Sequence, residues 1–248
     1  MLVPALLALL VQANPRATSE LRAGLDTLYA GHFEAAAHHF AALAASDTAA
    51  AAPLVFQASA YIWWASALDS AAFERRRIDS LLEGAIERAR AVGPAADFWL
   101  ATAHGYRARE RDLHGHSLGA ARDAKAMRDA YKRILVTDTL CTDCYLGLGV
   151  YNYGLGRASG FARFMARLIG LGSGNAEEGI RYLRRVARDG DLAQVEATWV
   201  LAAALVREAE RDPEGSAVLY REAREYVERL RERYPGNVVF ERFLAEVP

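Results

Sequence analysis

The chain has 248 residues, enough for one large domain or an elongated array of repeats. Hydrophobic residues make up 52% of it, which provides a sizeable core and argues against disorder. Thirty Lys and Arg residues against 31 Asp and Glu residues give a net charge of −1, which argues against a general nucleic-acid-binding protein. Alanine, leucine, arginine and glutamate dominate the periodic segments and favour helix, so we predict an all-α fold.

The first residues form a short apolar run. Residues 2–11 carry no charge but are too few for an ordinary transmembrane helix, and the small residues of Val11-Gln12-Ala13 suit a cleavage site. We therefore predict that residues 1–13 are a signal peptide and that the protein is exported, to the periplasm. The segment lacks the usual basic leader, and a buried N-terminal helix is the alternative interpretation.

A spaced set of small and apolar residues recurs along the rest of the chain. Steps of four and then three residues keep each set on one face of a helix. The five copies are Ala36, Phe40 and Leu43; Leu82, Ile86 and Ala89; Met127, Tyr131 and Ile134; Gly179, Leu183 and Val186; and Ala223, Val227 and Leu230. Successive copies start 46, 45, 52 and 44 residues apart, which indicates an internal repeat.

The first copy resembles a tetratricopeptide repeat, a hairpin of two antiparallel helices. Gly24, Ala36, Phe40 and Leu43 stand at the family's small and apolar positions, and Thr48 stands where proline is usual. The resemblance implies stacked hairpins with a concave face lined mainly by the first helix of each pair. Because the family's period is about 34 residues, the hairpins here are expected to have longer helices or turns.

We predict a single domain at 17–248 made of five hairpins. The predicted helix pairs are 17–30 with 33–46, 52–68 with 72–92, 96–111 with 117–137, 141–154 with 175–189, and 192–210 with 214–233. A short helix from Asn237 to Glu246 is expected to cover the end of the stack. Residues 157–174 are interpreted as an insertion because they fall in the longest interval between copies.

Further segments resemble a group of bacterial exported proteins with tetratricopeptide-like repeats and no assigned function. They are Gly105-Tyr106-Arg107-Ala108-Arg109, the small-residue turn near Gly119, the run C-x-x-C-Y-L-G-L-G-V-Y-N-Y from Cys141, and R-E-R-Y-P-G-N from Arg231. The resemblance covers roughly the last 150 residues of the chain. It implies a fold and export but no activity.

Cys141 and Cys144 are the only cysteines. The βαβ context of thioredoxin-like motifs is absent, and no second pair of ligands completes a zinc site. Two interpretations stay open: a local disulfide, which the spacing allows, or two separate buried thiols.

Aromatic and basic side chains of the first helices are the candidates for partner binding. Trp63 and Trp64 are adjacent, so only one of them can face the concave groove. The full set of candidates is Trp63, Trp64, Tyr106, Arg107, Arg109, Tyr151 and Asn152. Core packing is the alternative role for each of them.

The insertion contains a basic amphipathic pattern. Phe161, Phe164, Met165, Leu168 and Ile169 share one helical face, with three arginines and no acid between Gly154 and Gly174. Such a helix, 161–171, could lie on an anionic membrane or fold back over the groove.

No pattern of a catalytic, cofactor or metal site stands out. The glycines at 147, 149, 154 and 156 lack the preceding strand of a phosphate-binding loop, so Gly149 is expected to mark a close helix contact. We predict a non-enzymatic scaffold, without cofactor or metal, that binds a peptide or protein on its concave face. A membrane-surface or lipid- or small-ligand-binding protein using helix 161–171 is the alternative, and the oligomeric state is left open.

Overall fold

A computed structural model describes residues 18–160, 170–212 and 214–248. Every regular element in these ranges is helical. The eleven α-helices are α1 Ser19–Tyr29, α2 Phe33–Ser46, α3 Ala52–Ala67, α4 Arg75–Val92, α5 Asp97–Leu113, α6 Ser117–Thr137, α7 Cys144–Arg157, α8 Ala176–Asp189, α9 Gln194–Arg211, α10 Ser216–Arg233 and α11 Val238–Glu246, with a short 3₁₀ turn at Pro94–Ala96. The predicted all-α class is therefore confirmed.

Local chemistry places the helix ends. The side chain of Thr18 accepts the backbone N–H of Leu21 and caps α1, and Asn175 caps α8 by accepting the N–H of Glu178. Gly93 follows α4 with a φ of 83°, a conformation that favours glycine and stops the helix. These signals are readable in the sequence, so most predicted boundaries lie close to the observed ones.

Two predicted starts are wrong by three residues. Helix α4 begins at Arg75 instead of residue 72 because the preceding Glu74 adopts a left-handed conformation with φ of 50°. Helix α7 begins at Cys144 instead of residue 141 because a disulfide closes the turn between Cys141 and Cys144, whose Cα atoms are 5.5 Å apart. The predicted signal peptide, residues 1–13, lies outside the described residues.

Consecutive helices pack in adjacent pairs, α1 with α2 through α9 with α10. Fourteen of the fifteen residues of the recurring set are buried, and Leu43 is partly buried. The odd-numbered helices α1, α3, α5, α7 and α9 also contact one another in sequence, so they form an inner row. The recurring steps of four and three residues therefore identify the buried face of each even-numbered helix.

The two ends of this row meet. The amide of Asn237 donates to the carbonyl oxygen of Tyr29 at 2.8 Å, across 208 positions of sequence, and Tyr234 donates to Asp26. Helix α11 packs on α10 and also on α3, and Arg242 donates to the carbonyl oxygens at the end of α3. The C-terminal helix thus joins the last pair to the first two pairs, beyond the predicted role of covering an exposed end.

Gly149 and Gly179 lie where α7 and α8 approach most closely. A Cβ at Gly179 would stand 2.5 Å from the backbone nitrogen of Tyr153 and 2.7 Å from the carbonyl oxygen of Gly149. A Cβ at Gly149 would in turn meet the side chain of Leu183 at 3.0 Å. The close helix contact expected at Gly149 is confirmed.

Replacement of Gly179 by alanine is expected to destabilise the protein by about 1–3 kcal/mol, because the new methyl group overlaps backbone atoms of α7. The matched control is Gly154→Ala, since a Cβ at Gly154 meets nothing within 4 Å. That change should stabilise the protein by about 0.5–1 kcal/mol by favouring helix. Urea unfolding followed by circular dichroism measures both, and equal effects of the two substitutions would contradict this account of the contact.

Asn237→Asp tests the joining of the two ends. Asn237 is fully buried, and its Oδ1 also accepts the N–H of Val239 as the cap of α11. Aspartate keeps that cap but turns a donor into an acceptor opposite the carbonyl of Tyr29, so a loss of about 1–3 kcal/mol is expected. Asn175→Asp, at the exposed cap of α8, should be neutral in the same urea titration. If the two variants unfold at the same midpoint, the bond to Tyr29 contributes nothing.

Candidate functional site

A cavity of about 240 Å³ opens between the inner helices. Each odd-numbered helix from α1 to α9 contributes to its wall, whereas Met127 and Tyr131 of α6 are the contributions of the even-numbered helices among the described residues. Two exposed residues, Arg109 and Val150, line the cavity where it reaches solvent. The side chain of Arg109 is half-exposed, and Val150 is 43% exposed. The inner row of helices therefore lines the cavity.

Aromatic rings are prominent in the cavity wall. The eight that line it are Tyr29, Phe56, Trp63, Phe98, Trp99, Tyr106, Tyr131 and Trp199. Their packing is mutual: Trp63 lies edge-on to Tyr29 with ring centroids 5.6 Å apart and contacts Trp199 at 5.7 Å. Phe56 and Trp99 are also edge-to-face, at 5.5 Å. These contacts hold the rings in place, so the wall is largely preformed.

Glu196, on α9, places a carboxyl group among these aromatic rings. Its Oε2 accepts the indole N–H of Trp63 at 3.0 Å. Burial raises the pKa of Glu196, although the bond from Trp63, the guanidinium of Arg109 and the hydroxyl of Tyr106 act in the opposite direction. Among the described residues no basic side chain forms an ion pair with Glu196.

A second carboxyl group lines the cavity at Asp143, inside the disulfide loop. It accepts the backbone N–H groups of Asp191 and Leu192 at 2.7 and 3.0 Å, just before α9 begins. Burial raises the pKa of Asp143, and these two bonds oppose the shift. The carboxylate therefore fixes the start of the helix that carries Glu196.

Arg109 is the basic side chain among the described residues that line the cavity, and its charge has a partner. Its guanidinium forms an ion pair with the buried carboxylate of Glu110. With that pair neutral, Glu196 and Asp143 leave the cavity with excess negative charge when both are ionised.

The structure brings three of the seven candidate residues to the cavity: Trp63, Tyr106 and Arg109. The hydroxyl of Tyr106 donates to Ser59 at 3.2 Å. Trp64 faces away from the cavity and packs on Phe73 at 4.9 Å. Of the adjacent tryptophans, Trp63 is therefore the one that faces the concave side.

The other three candidates have partners within the protein. Arg107 donates to Asp123 at 2.7 and 3.0 Å, in a buried cluster that also holds His104. Tyr151 is buried, and its hydroxyl donates to the carbonyl oxygen of Leu171. The amide of Asn152 donates to the carbonyl oxygen of Leu148, one turn earlier in α7.

Sequence reasoning missed Glu196 and Asp143. A signal for the first was present, since Glu196 is the only charged residue between Asp191 and Arg207 and precedes Trp199 by three positions on one helix face. Asp143 gave no such signal, because its partners lie 48 and 49 positions away.

Three further observations bound the site. No group of three or more His, Cys, Asp or Glu side chains within residues 18–160, 170–212 and 214–248 could hold a metal ion. In the same ranges no helix is long and apolar enough to cross a membrane. Residues 161–169 of the amphipathic helix predicted at 161–171 lie outside the described part of the chain, so the membrane alternative stays a prediction from sequence. The predicted end at 171 is wrong, because Gly170 lies in a turn with φ of 78° and Leu171 is not helical.

Comparisons of the chain with protein-family models, with curated proteins and with solved structures find no match. The geometry and chemistry of the cavity are therefore the basis on which a function is proposed.

Glu196→Gln is expected to raise the free energy of unfolding at pH 8. Because the folded state raises the pKa of Glu196, ionisation costs stability as pH rises from the ordinary glutamate value, about 4.3, through the raised value. Glutamine still accepts the N–H of Trp63 and carries no charge, so its advantage should vanish below pH 4.3. Urea unfolding across this pH range measures the difference.

The exposed Glu210 on the same helix provides the control, and Glu210→Gln should show no such trend. A Glu196→Gln variant that is less stable than the wild type at pH 8 would contradict the raised pKa.

Proposed function

We propose that this chain is a non-enzymatic helical-repeat scaffold of the tetratricopeptide-like kind, which holds a peptide or protein partner on its concave face. The observation that supports this most strongly is the aromatic cavity between the inner helices. Preformed aromatic pockets are where anchor side chains of partners bind, because the apolar surface is already ordered before binding.

The size of the cavity favours one anchor of a larger partner. Pockets that enclose drug-sized ligands measure roughly 300–1,000 Å³, whereas this cavity measures about 240 Å³. We place the entrance for a projecting side chain near Arg109 and Val150, the exposed residues among those that line the cavity. The rest of the partner would then contact the rim.

We also propose that the protein is exported. The disulfide between Cys141 and Cys144 supports this, since such bonds persist in oxidising compartments such as the periplasm. The buried position of both sulfur-bearing residues gives the bond a structural role at the start of α7.

Blocking the cavity opening is the test of partner binding. Peptides selected from a random displayed library against the wild type should bind Val150→Trp at least about 10-fold more weakly, because the indole fills the opening. The control is Val136→Trp, which places the same indole on α6 at a residue 82% exposed and outside the cavity wall. It should bind the selected peptides with wild-type affinity.

Isothermal titration calorimetry with the purified variants measures these affinities. Failure to select any peptide, or selected peptides that bind both tryptophan variants equally, would overturn the proposed function.

A further inference from the structure

We propose that the anchor taken by the cavity is a lysine side chain, with its ammonium group on Glu196 and its methylene stem against the aromatic wall. This assignment rests on the proposed function and names the chemistry that the same site recognises. It follows from three features of the cavity: its excess negative charge, its aromatic surface and the geometry of the acceptor.

Charge comes first. No basic side chain among the described residues forms an ion pair with Glu196. Arg109, which shares the cavity and favours the ionised form of Glu196, forms its ion pair with Glu110. A partly buried carboxylate without an ion pair is costly, so an incoming cation gains both the Coulombic attraction and the relief of that cost. A neutral or anionic occupant gains neither, and an anion would meet Asp143 and Glu196 together.

The aromatic wall favours a cation for a separate reason. Trp63 and Trp199 lie 5.7 Å apart and both line the cavity with Glu196, which stands three residues before Trp199 on α9. The electron-rich faces of indole rings attract ammonium groups, most strongly where water is excluded. The same rings present apolar surface to a methylene stem, as lysine buries its stem while its charge finds a polar partner.

The acceptor geometry distinguishes lysine from arginine. Oε2 of Glu196 already accepts the indole N–H of Trp63 at 3.0 Å, and the nearby hydroxyl of Tyr106 donates to Ser59, so Oε1 is the better acceptor for a ligand. An ammonium group is a compact charge that one oxygen can satisfy. Guanidinium is a planar fork that is recognised best by both oxygens of a carboxylate.

Tryptophan indole resonances provide a direct test. The full chain, labelled with ¹⁵N at tryptophan, is titrated with N-acetyl-lysine-N-methylamide and with its uncharged analogue N-acetyl-norleucine-N-methylamide, each up to roughly 50 mM, well above the millimolar Kd expected of so small a ligand. The indole signal of Trp63, assigned from a Trp63→Phe variant, should shift with the lysine derivative. Lysine should bind at least about 10-fold more tightly than norleucine.

Glu196→Gln should abolish that preference while norleucine still binds. Glu210→Gln removes the same charge from an exposed position on the same helix and should keep the preference for lysine. Equal binding of lysine and norleucine to the wild type, or a preference that survives Glu196→Gln, would overturn the lysine assignment and leave an apolar anchor intact. Tighter binding of the corresponding arginine derivative would also overturn it.

Failure of the underlying proposal has a different signature. If neither derivative shifts the signals of Trp63, Trp99 or Trp199 over the whole concentration range, the cavity takes no side-chain anchor, and the proposed function fails together with the assignment.

Discussion

The hydrogen bond from Asn237 to the carbonyl of Tyr29 is the contact on which the rest of the architecture depends. It joins residues 208 positions apart and places α11 against α3. Around it, Tyr29 contacts Tyr234, and Phe240 contacts Trp63 and Trp199. A row of helix pairs that would otherwise end at both sides is thereby closed, and its inner helices line a cavity that reaches solvent near Arg109 and Val150.

Enclosure determines the chemistry of the cavity. A glutamate on an open concave face would be solvated and would resemble any surface acid. At position 196, aromatic rings from α3, α5 and α9 displace that water, so burial outweighs the bond from Trp63 and raises the pKa. In the proposed lysine site, this carboxylate is the group that the ammonium would pair with. Asp143 contributes by fixing the backbone at the start of α9.

The helices were largely predictable from sequence because their causes are local. Four- and three-residue steps, capping residues and glycines at helix ends act over a few positions, and they give the eleven elements with few errors. The starts of α4 and α7 were missed because a left-handed glutamate and a disulfide turn override the periodic pattern. The contact between the two ends of the row of helices was not predictable, since residues such as Arg22 and Asp191 meet across 169 positions without any local signal.

The site was less predictable than the helices, because its residues come together through long-range contacts. Aromatic side chains on first helices were recognisable as candidates, and Trp63 and Tyr106 do line the cavity. The periodic pattern does not show which side of a helix packs on the other helix of its pair and which side faces the inner row. Tyr151 and Arg107 were therefore indistinguishable from Trp63 and Tyr106 in the sequence. Glu196 carried a compositional signal, but its meaning depends on the rings that surround it in three dimensions.

Closure of the row also has a consequence for the order of folding. Contacts within a helix pair link residues near in sequence and cost little chain entropy, whereas the contacts of α11 with α3 require nearly the whole chain to be placed. We therefore expect the pairs to form first and the ring to close last. Until it closes, Trp63 of α3 lacks its ring contacts with Trp199 and Phe240, and these apolar side chains stay exposed on separate elements. The interval before closure is therefore when newly made chains are most prone to associate with each other.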